Sequence, residues 1–295
     1  MPRPIQTALT RAVAHGTADR TLTRVRAQSD KLNGQLATGR RVQQPSDDPS
    51  GYARAKDLGR LQDRLTQYNR GIDAAQLWTD RTQTELDALA ELFTGAYEAG
   101  LRAANGVLDG EALARDVESA RNEAIARLNT TSGGEYLFAG NQTATAPIDA
   151  AGAVAAGDFG GVRQREVAPG ISLGVNTVGA LEVDGVSAPD RLQALADAIR
   201  SGDQTAMRDA LGSVQAGIDH YSRLGGQSGS VSRQLASARA ANQAQDVVVG
   251  EHRAAIEEID LAEVLSANQR QQTALEAALR ATATSVQTSI LNYLR

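Results

Sequence analysis

The sequence predicts a mainly α protein with a small β insertion, an elongated coiled-coil or helical-bundle rod whose N- and C-terminal helical arms pair. Three observations predict it. Between Leu58 and Ala96, apolar and small residues recur in steps of three and four without a slip, the repeat that keeps one helical seam against a partner. Aromatic residues make up only 3% of the 295 residues, which suits thin helix-on-helix packing better than a thick core. Helical periodicity then vanishes between 144 and 187, where glycine recurs and short alternating runs take over.

The long seam runs through Leu58, Leu61, Leu65, Tyr68, Ile72, Ala75, Thr79, Thr82, Leu86, Leu89, Phe93 and Ala96. At 1.5 Å per residue it predicts a helix roughly 58 Å long, which needs other helices alongside to be stable. Ahead of it, Leu22, Val25, Ser29, Leu32 and Leu36 mark a second heptad seam ended by Gly39, with Ile5 and Leu9 hinting at earlier helix. Asp48 is placed to cap the long helix, with Pro49 at its first position. After Ala96 the pattern relaxes, and Asn105-Gly106 and Asp109-Gly110 predict a loop. Leu113, Val117, Ala120, Ala124 and Leu128 form one face of a third helix, expected to stop at Ser132-Gly133-Gly134. The apolar piece 135–143 then reads as strand-like.

Inside 144–187, Val162–Val167 and Ile171–Asn176 flank Ala168-Pro169-Gly170, a type II turn signal, and predict a hairpin. Leu181 and Val183 suggest a further strand before Asp184-Gly185. Helix returns with Leu192, Leu195 and Ile199, stopped by Ser201-Gly202, and again with Met207, Leu211, Val214, Ile218 and Tyr221. The glycine-rich run 224–229 is expected to be a loop. Beyond it a seam with many polar members extends from Val231 through Asn242, Gln245, Val249, His252 and Ile259. It continues through Leu265, Asn268, Gln272, Leu275, Leu279, Thr282 and Val286 to Tyr293. Polar seam residues cost stability and fix register, so this arm should order when it meets a partner. The expected organisation is nested: an N-terminal arm 1–41 paired with a C-terminal arm 261–295, a helical rod from 42–143 and 188–260, and the β-rich insertion 144–187 farthest from the ends.

Charge is uneven. Residues 1–41 carry eight basic groups against Asp19 and Asp30, and 246–295 carry seven acidic groups against four arginines. The opposite signs suit two ends that lie together, although solvated helix faces explain them equally well. With a net charge of −5 and no aromatic residue in the basic arm, general nucleic-acid binding is not expected. There is no cysteine, hence no disulfide or thiolate metal site. No apolar run approaches the ~18 residues a membrane span needs. The N-terminus lacks the apolar segment of a cleaved signal peptide, so any export is expected to use another route.

No catalytic, cofactor or metal site emerges. His15, His220 and His252 have no ligand spacing, and glycine-rich phosphate loops and a GxSxG elbow are absent. The Asp47-Asp48 pair fits capping better than cation binding. Interaction chemistry remains. Leu22, Val25, Leu32, Leu36, Leu275, Leu279, Val286, Ile290 and Leu294 are the candidate subunit-interaction residues, because nothing else in the chain is evidently available to cover them.

The stretch RVQQPSDDPSGYARAKDL after the glycine and basic pair resembles the N-terminal signature of flagellins and flagellar hook-associated proteins. The run LNTTSGGEYLFAGNQT (128–143) is similar to one typical of the hook-associated protein 3 family, at the hook–filament junction. The ending from Ile256 to Arg295, with its Ile-Asp-Leu-Ala entry and Leu-Asn-Tyr-Leu close, resembles the C-terminal arm of that family. The start MPRPIQTALTRAV departs from the Asn- and Ser-rich start of many relatives. The resemblance implies an extracellular, non-enzymatic flagellar subunit exported by the type III apparatus. It implies terminal helices that polymerise and an outward β domain. Implied partners are other copies in a ring, neighbouring hook-associated protein 1, flagellin, and an export chaperone on the C-terminal arm. A small flagellin and a cytoplasmic coiled-coil adaptor are the alternatives; an enzyme is the least supported.

Overall fold

The computed structural model describes the backbone over residues 4–106 and 109–293, with side chains from 16 to 284 except Ala18. Among the described residues six helices carry the fold: α1 (Pro4–Thr38), α2 (Pro49–Ala104), α3 (Gly110–Leu128), α4 (Ala188–Ser201), α5 (Gln204–Glu257) and α6 (Leu261–Tyr293). From α2 onward each helix starts behind a short polar side chain that accepts from the free N–H groups of the first turn. Asp48 accepts from the Gly51 N–H (2.9 Å), Asp109 from Glu111 (3.0 Å), Ser187 from Asp190 (3.2 Å), Asp203 from Thr205 (2.8 Å) and Asp260 from Ala262 (2.9 Å). The Asp48–Pro49 start of α2 is as expected from sequence, and so is the end of α4 at Gly202, which adopts the left-handed conformation (φ 67°).

The chain divides into two compact units, one of residues 1–62 with 247–295 and one of residues 63–246. In the second unit the expected seam of α2 is the buried one. Leu65, Ile72, Leu86, Leu89 and Phe93 are fully buried, and Ala75, Thr79, Thr82 and Ala96 nearly so. The C-terminal half of α2 packs with α3, α4 and the start of α5, through Leu113, Val117 and Leu128, Leu192 and Leu195, and Val214 and Tyr221. Each such side chain contributes about 1.5–3 kcal/mol by leaving water. Phe93 meets Tyr221 edge to face at 5.3 Å, and it lies so close over Gly217 that a Cβ there would collide with the ring. Below this core α2 and α5 run antiparallel: Ser228 donates to the Thr79 carbonyl (3.1 Å), Arg239 pairs with Asp73 (2.7 Å), and Asn242 donates to Asn69 (3.3 Å).

Strand structure among the described residues is limited to three two-stranded antiparallel pairs: β1 (Thr131–Ser132) with β2 (Glu135–Tyr136), β3 (Gln164–Ala168) with β4 (Ile171–Gly174), and β5 (Glu182–Val183) with β6 (Val186–Ser187). The β3–β4 hairpin turns at Pro169-Gly170, as expected from sequence, and a second hairpin, β5–β6, turns at Asp184-Gly185 where a single strand was expected. Three side chains tie the segment before β6 to the helices. Tyr221 donates to the Ala180 carbonyl (3.0 Å), and burial pushes its phenol well above the ordinary range. His220 bonds the Gly179 carbonyl (2.8 Å), and the buried Arg191 guanidinium spans the Val183 carbonyl and Ser213.

Four sequence expectations need correction. α2 does not relax after Ala96 but stays helical to Ala104. Leu211 and Leu195 close to within 2.7–3.0 Å of where a Cβ on Gly100 would stand, so the glycine there serves packing rather than a break. α3 ends at Leu128, capped by Asn129; Gly133 and Gly134, both at positive φ, make the β1–β2 turn instead of a helix stop. Residues 224–229 are not a loop but the interior of α5. The small residues let α5 approach α2, with Ser228 buried against the Thr79 carbonyl and the open Cβ position of Gly225 beside Asp87 (2.9 Å). The polar seam is not continuous to the C-terminus: it is interrupted between Glu257 and Leu261, and Gln245, His252, Leu265 and Gln272 are exposed.

Candidate assembly surface

The terminal segments meet in the first unit. Ile259 N–H donates to the Gly39 carbonyl (3.1 Å), Asn268 to Asn33 (3.1 Å), and Gln271 to the Val25 carbonyl (2.8 Å). Partner numbers fall as the α6 numbers rise, so α1 and α6 are antiparallel. Their shared face is only partly apolar. Leu32 is buried, but Ser29, Gln35 and Asn268 are buried beside it. The Asn268 Oδ1 acceptor has no partner among the described residues, an arrangement that costs stability and specifies register.

A clasp joins this pair to the end of α5. The Arg41 N–H donates to the Glu257 carbonyl (2.6 Å) and its guanidinium to the Ile256 carbonyl (2.9 Å), while Arg40 pairs with Glu257 (3.6 Å). The last carbonyls of a helix carry partial negative charge, so a basic pair is well matched to them. Lys31 pairs with Asp47 at 3.0 Å. That bond, with the Gln43 and Gln44 N–H groups, holds the Asp47 carboxyl below its ordinary pKa. Asp48 is lowered likewise, first by the Gly51 N–H and then by the Ser50 hydroxyl.

Of the sequence-proposed interaction residues, Leu32 is buried, Leu22, Val25, Leu36 and Leu275 are half-buried, and Leu279 is 41% exposed. Leu32 lies among the residues of the α1–α6 pair; Leu279 lies on the open flank of α6, on the same stripe as the exposed Leu261 and Leu265. The side chains of Val286 and Ile290, and Leu294 altogether, lie outside the described residues, as does the side chain of His15. Sequence reasoning missed Asn33 as the partner of Asn268, and it missed the Arg40–Arg41 clasp. A basic pair directly after a helix-ending glycine was the available signal for the clasp.

Among the described residues no group of three or more His, Asp or Glu side chains is disposed to hold a metal. A cavity of about 340 Å³ between α2 and α3 is lined by small residues such as Ala88, Gly95, Ala99 and Ala120 and by the charged Glu91, Arg102, Asp116, Glu123 and Arg127. Of these, Glu123 and Arg127 are tied into an ion group with Glu85. No helix among the described residues is long and apolar enough to cross a membrane.

Residues 10–143 match the family model of the bacterial flagellin N-terminal helical region. That part of the chain is flagellin-like. The chain is 34% identical over 133 residues to flagellar hook-associated protein 3 of Escherichia coli K12, and 35% identical over 137 residues to that of Salmonella typhimurium LT2. Each match takes in 44% of this chain and 42% of the relative, so the similarity spans less than half the length of either. The fold is that of solved hook-associated structures. A protein from Vibrio parahaemolyticus assigned to the flagellar hook-associated proteins aligns with a TM-score of 0.66 at 20% identity, covering 71% of this chain and 99% of its own. FlgL of Bacillus cereus aligns with a TM-score of 0.59 at 17% identity, covering 67% and 99%.

Proposed function

We propose that the chain is a structural subunit of the bacterial flagellum at the hook–filament junction, without enzymatic activity. The observation that carries this reading is the 34–35% identity to two proteins named flagellar hook-associated protein 3, over the segment that includes the flagellin-type helical region. The antiparallel α1–α6 pair supports the assembly role, since its seam is half-exposed and polar and gains burial from neighbours. In this proposal residues 1–41 and 261–295 are the assembly arms, 42–143 and 188–260 the helical body, and 144–187 the outer insertion. Leu22, Val25, Leu32, Leu36, Leu275, Leu279, Val286, Ile290 and Leu294 contribute to contacts with other copies in a ring, with hook-associated protein 1 and with flagellin. The acidic C-terminal arm meets an export chaperone, and export proceeds without a cleaved signal peptide to an extracellular site.

The match to the flagellin N-terminal region also favours a second reading, a filament subunit. Electron microscopy of a deletion strain, with flagellin assayed in the spent medium, separates the two. Hooks without filaments and unpolymerised flagellin in the medium are expected for a junction subunit. Bald hooks with no secreted flagellin would make this chain the filament subunit, and normal flagella would overturn both readings.

A further inference from the structure

We infer that the β3–β4 hairpin is a strap that takes the place of a third helix and makes the pairing of α2 with α5 conditional on the insertion. Above Trp78 the two helices are covered by α3 and α4; between about residues 66 and 80 of α2 and 228 and 245 of α5 the cluster of buried side chains among the described residues takes in no other helix. The seam there is short of apolar side chains, with Thr79 and Asn242 buried in it. The hairpin supplies what is missing. Val167 and Val175 are buried with Ile72, Ala75 and Leu235 in a cluster separate from the main core, with Leu173 packed against it.

The polar contacts fit the same role. Asn242, 2% exposed, donates to the Val167 carbonyl at 2.8 Å and to Asn69 at 3.3 Å, so one α5 side chain holds hairpin and α2 together. Tyr68 donates to Glu166 (3.3 Å), and Arg165 lies over Gly71, 3.4 Å from where a Cβ would stand. At the base, the Arg163 guanidinium sits 4.7 Å from the Trp78 ring centre and donates to Glu135 (2.9 Å). A two-stranded hairpin is marginal by itself, so strap and helix pair depend on each other. Anything that lifts the hairpin uncovers Ile72, Ala75 and Leu235 and loosens this section of the pair, whatever the chain assembles into.

Hydrogen exchange of the full chain tests this. Val167→Asp puts a charge into the small cluster without touching either helix. Exchange is expected to rise about tenfold or more over 66–80 and 231–245 while 85–100 and 207–221 keep their protection. Trp78, the sole tryptophan of the chain, should shift its emission as Arg163 leaves the ring. Unchanged exchange in both helix segments, with a protease cutting the released hairpin, would overturn the inference. If the variant loses protection everywhere, Val167→Ala decides: a rise confined to the two segments supports the strap, and a uniform rise or none rejects it.

Discussion

Phe93 and Leu32 sit on heptad seams that look alike in sequence, yet they belong to different kinds of packing. Around Phe93 the seam of α2 is apolar, closed on all sides by α3, α4 and α5, and its leucines are wholly buried. Around Leu32 the α1–α6 seam alternates leucine and valine with Ser29, Gln35 and Asn268, and most of its apolar members stay partly exposed. The first arrangement suffices for a folded unit; the second specifies register at a cost in stability and leaves surface to be covered. On the proposed function, the difference separates stability from assembly along one chain.

If that separation is right, the largest effect belongs to Phe93→Ala. Removing a fully buried ring beside Tyr221 should cost about 3–5 kcal/mol in denaturant unfolding of the 63–246 unit. Exchange protection in the α1–α6 pair should be unaltered. A loss shared equally by the terminal pair would break the comparison. Next is Leu279→Pro, which interrupts α6 at a cost of about 3 kcal/mol and should abolish assembly while the melting of residues 63–246 stays as it was. Normal assembly of this variant would remove α6 from the proposed surface.

The well-packed half was the more legible in sequence. The buried face of α2 could be written down from Leu58 to Ala96, because an apolar seam of that length has only one helical solution. The Asp48–Pro49 start and the Pro169-Gly170 turn were equally readable, because each is set by chemistry within a few residues. Glycine was misread where its role is tertiary: at Gly225 the neighbour across the helix pair decides, and nothing local says so. In the candidate surface the leucine positions followed from periodicity, and Asn268 lay on the seam. Its partner Asn33 lay off the apolar stripe of α1, so the pair was invisible until α1 and α6 were set side by side. Glu257 and Ile256 as targets of Arg40 and Arg41 were hidden likewise by some 215 residues of separation.

A smaller effect sharpens what the polar seam is for. Asn33→Leu with Asn268→Leu removes both partners of the bond between the exposed Asn33 and the buried Asn268, including the unsatisfied Asn268 Oδ1. Stability of the α1–α6 pair should stay level or rise by about 1 kcal/mol, since replacing the buried Asn268 removes its desolvation cost. Register should become less defined, read as broadened distances between labels on α1 and α6. The single change Asn33→Leu, which leaves the buried Asn268 amide without its partner, should be worse than the double. If it is not, the pair does not set register.

The smallest effect is the acid limit of the segment joining α1 to α2. Both Asp47 and Asp48 have folded-state pKa values below the ordinary 3.8, for the bonds from Lys31 and from the Gly51 N–H respectively. A carboxylate lowered on folding binds fewer protons folded than unfolded. Its stabilisation is therefore full above the unfolded pKa and is lost as pH falls through the lowered value. Both side chains are solvent-screened, so the loss should be slight and should sharpen at low salt. Exchange at the first turn of α2, around Gly51, should rise below about pH 4 in the wild type. In Asp48→Asn, whose amide oxygen keeps the cap without a charge to titrate, it should stay flatter. An equal acid response in both proteins would place the pH dependence elsewhere, and the cap would then act by geometry alone.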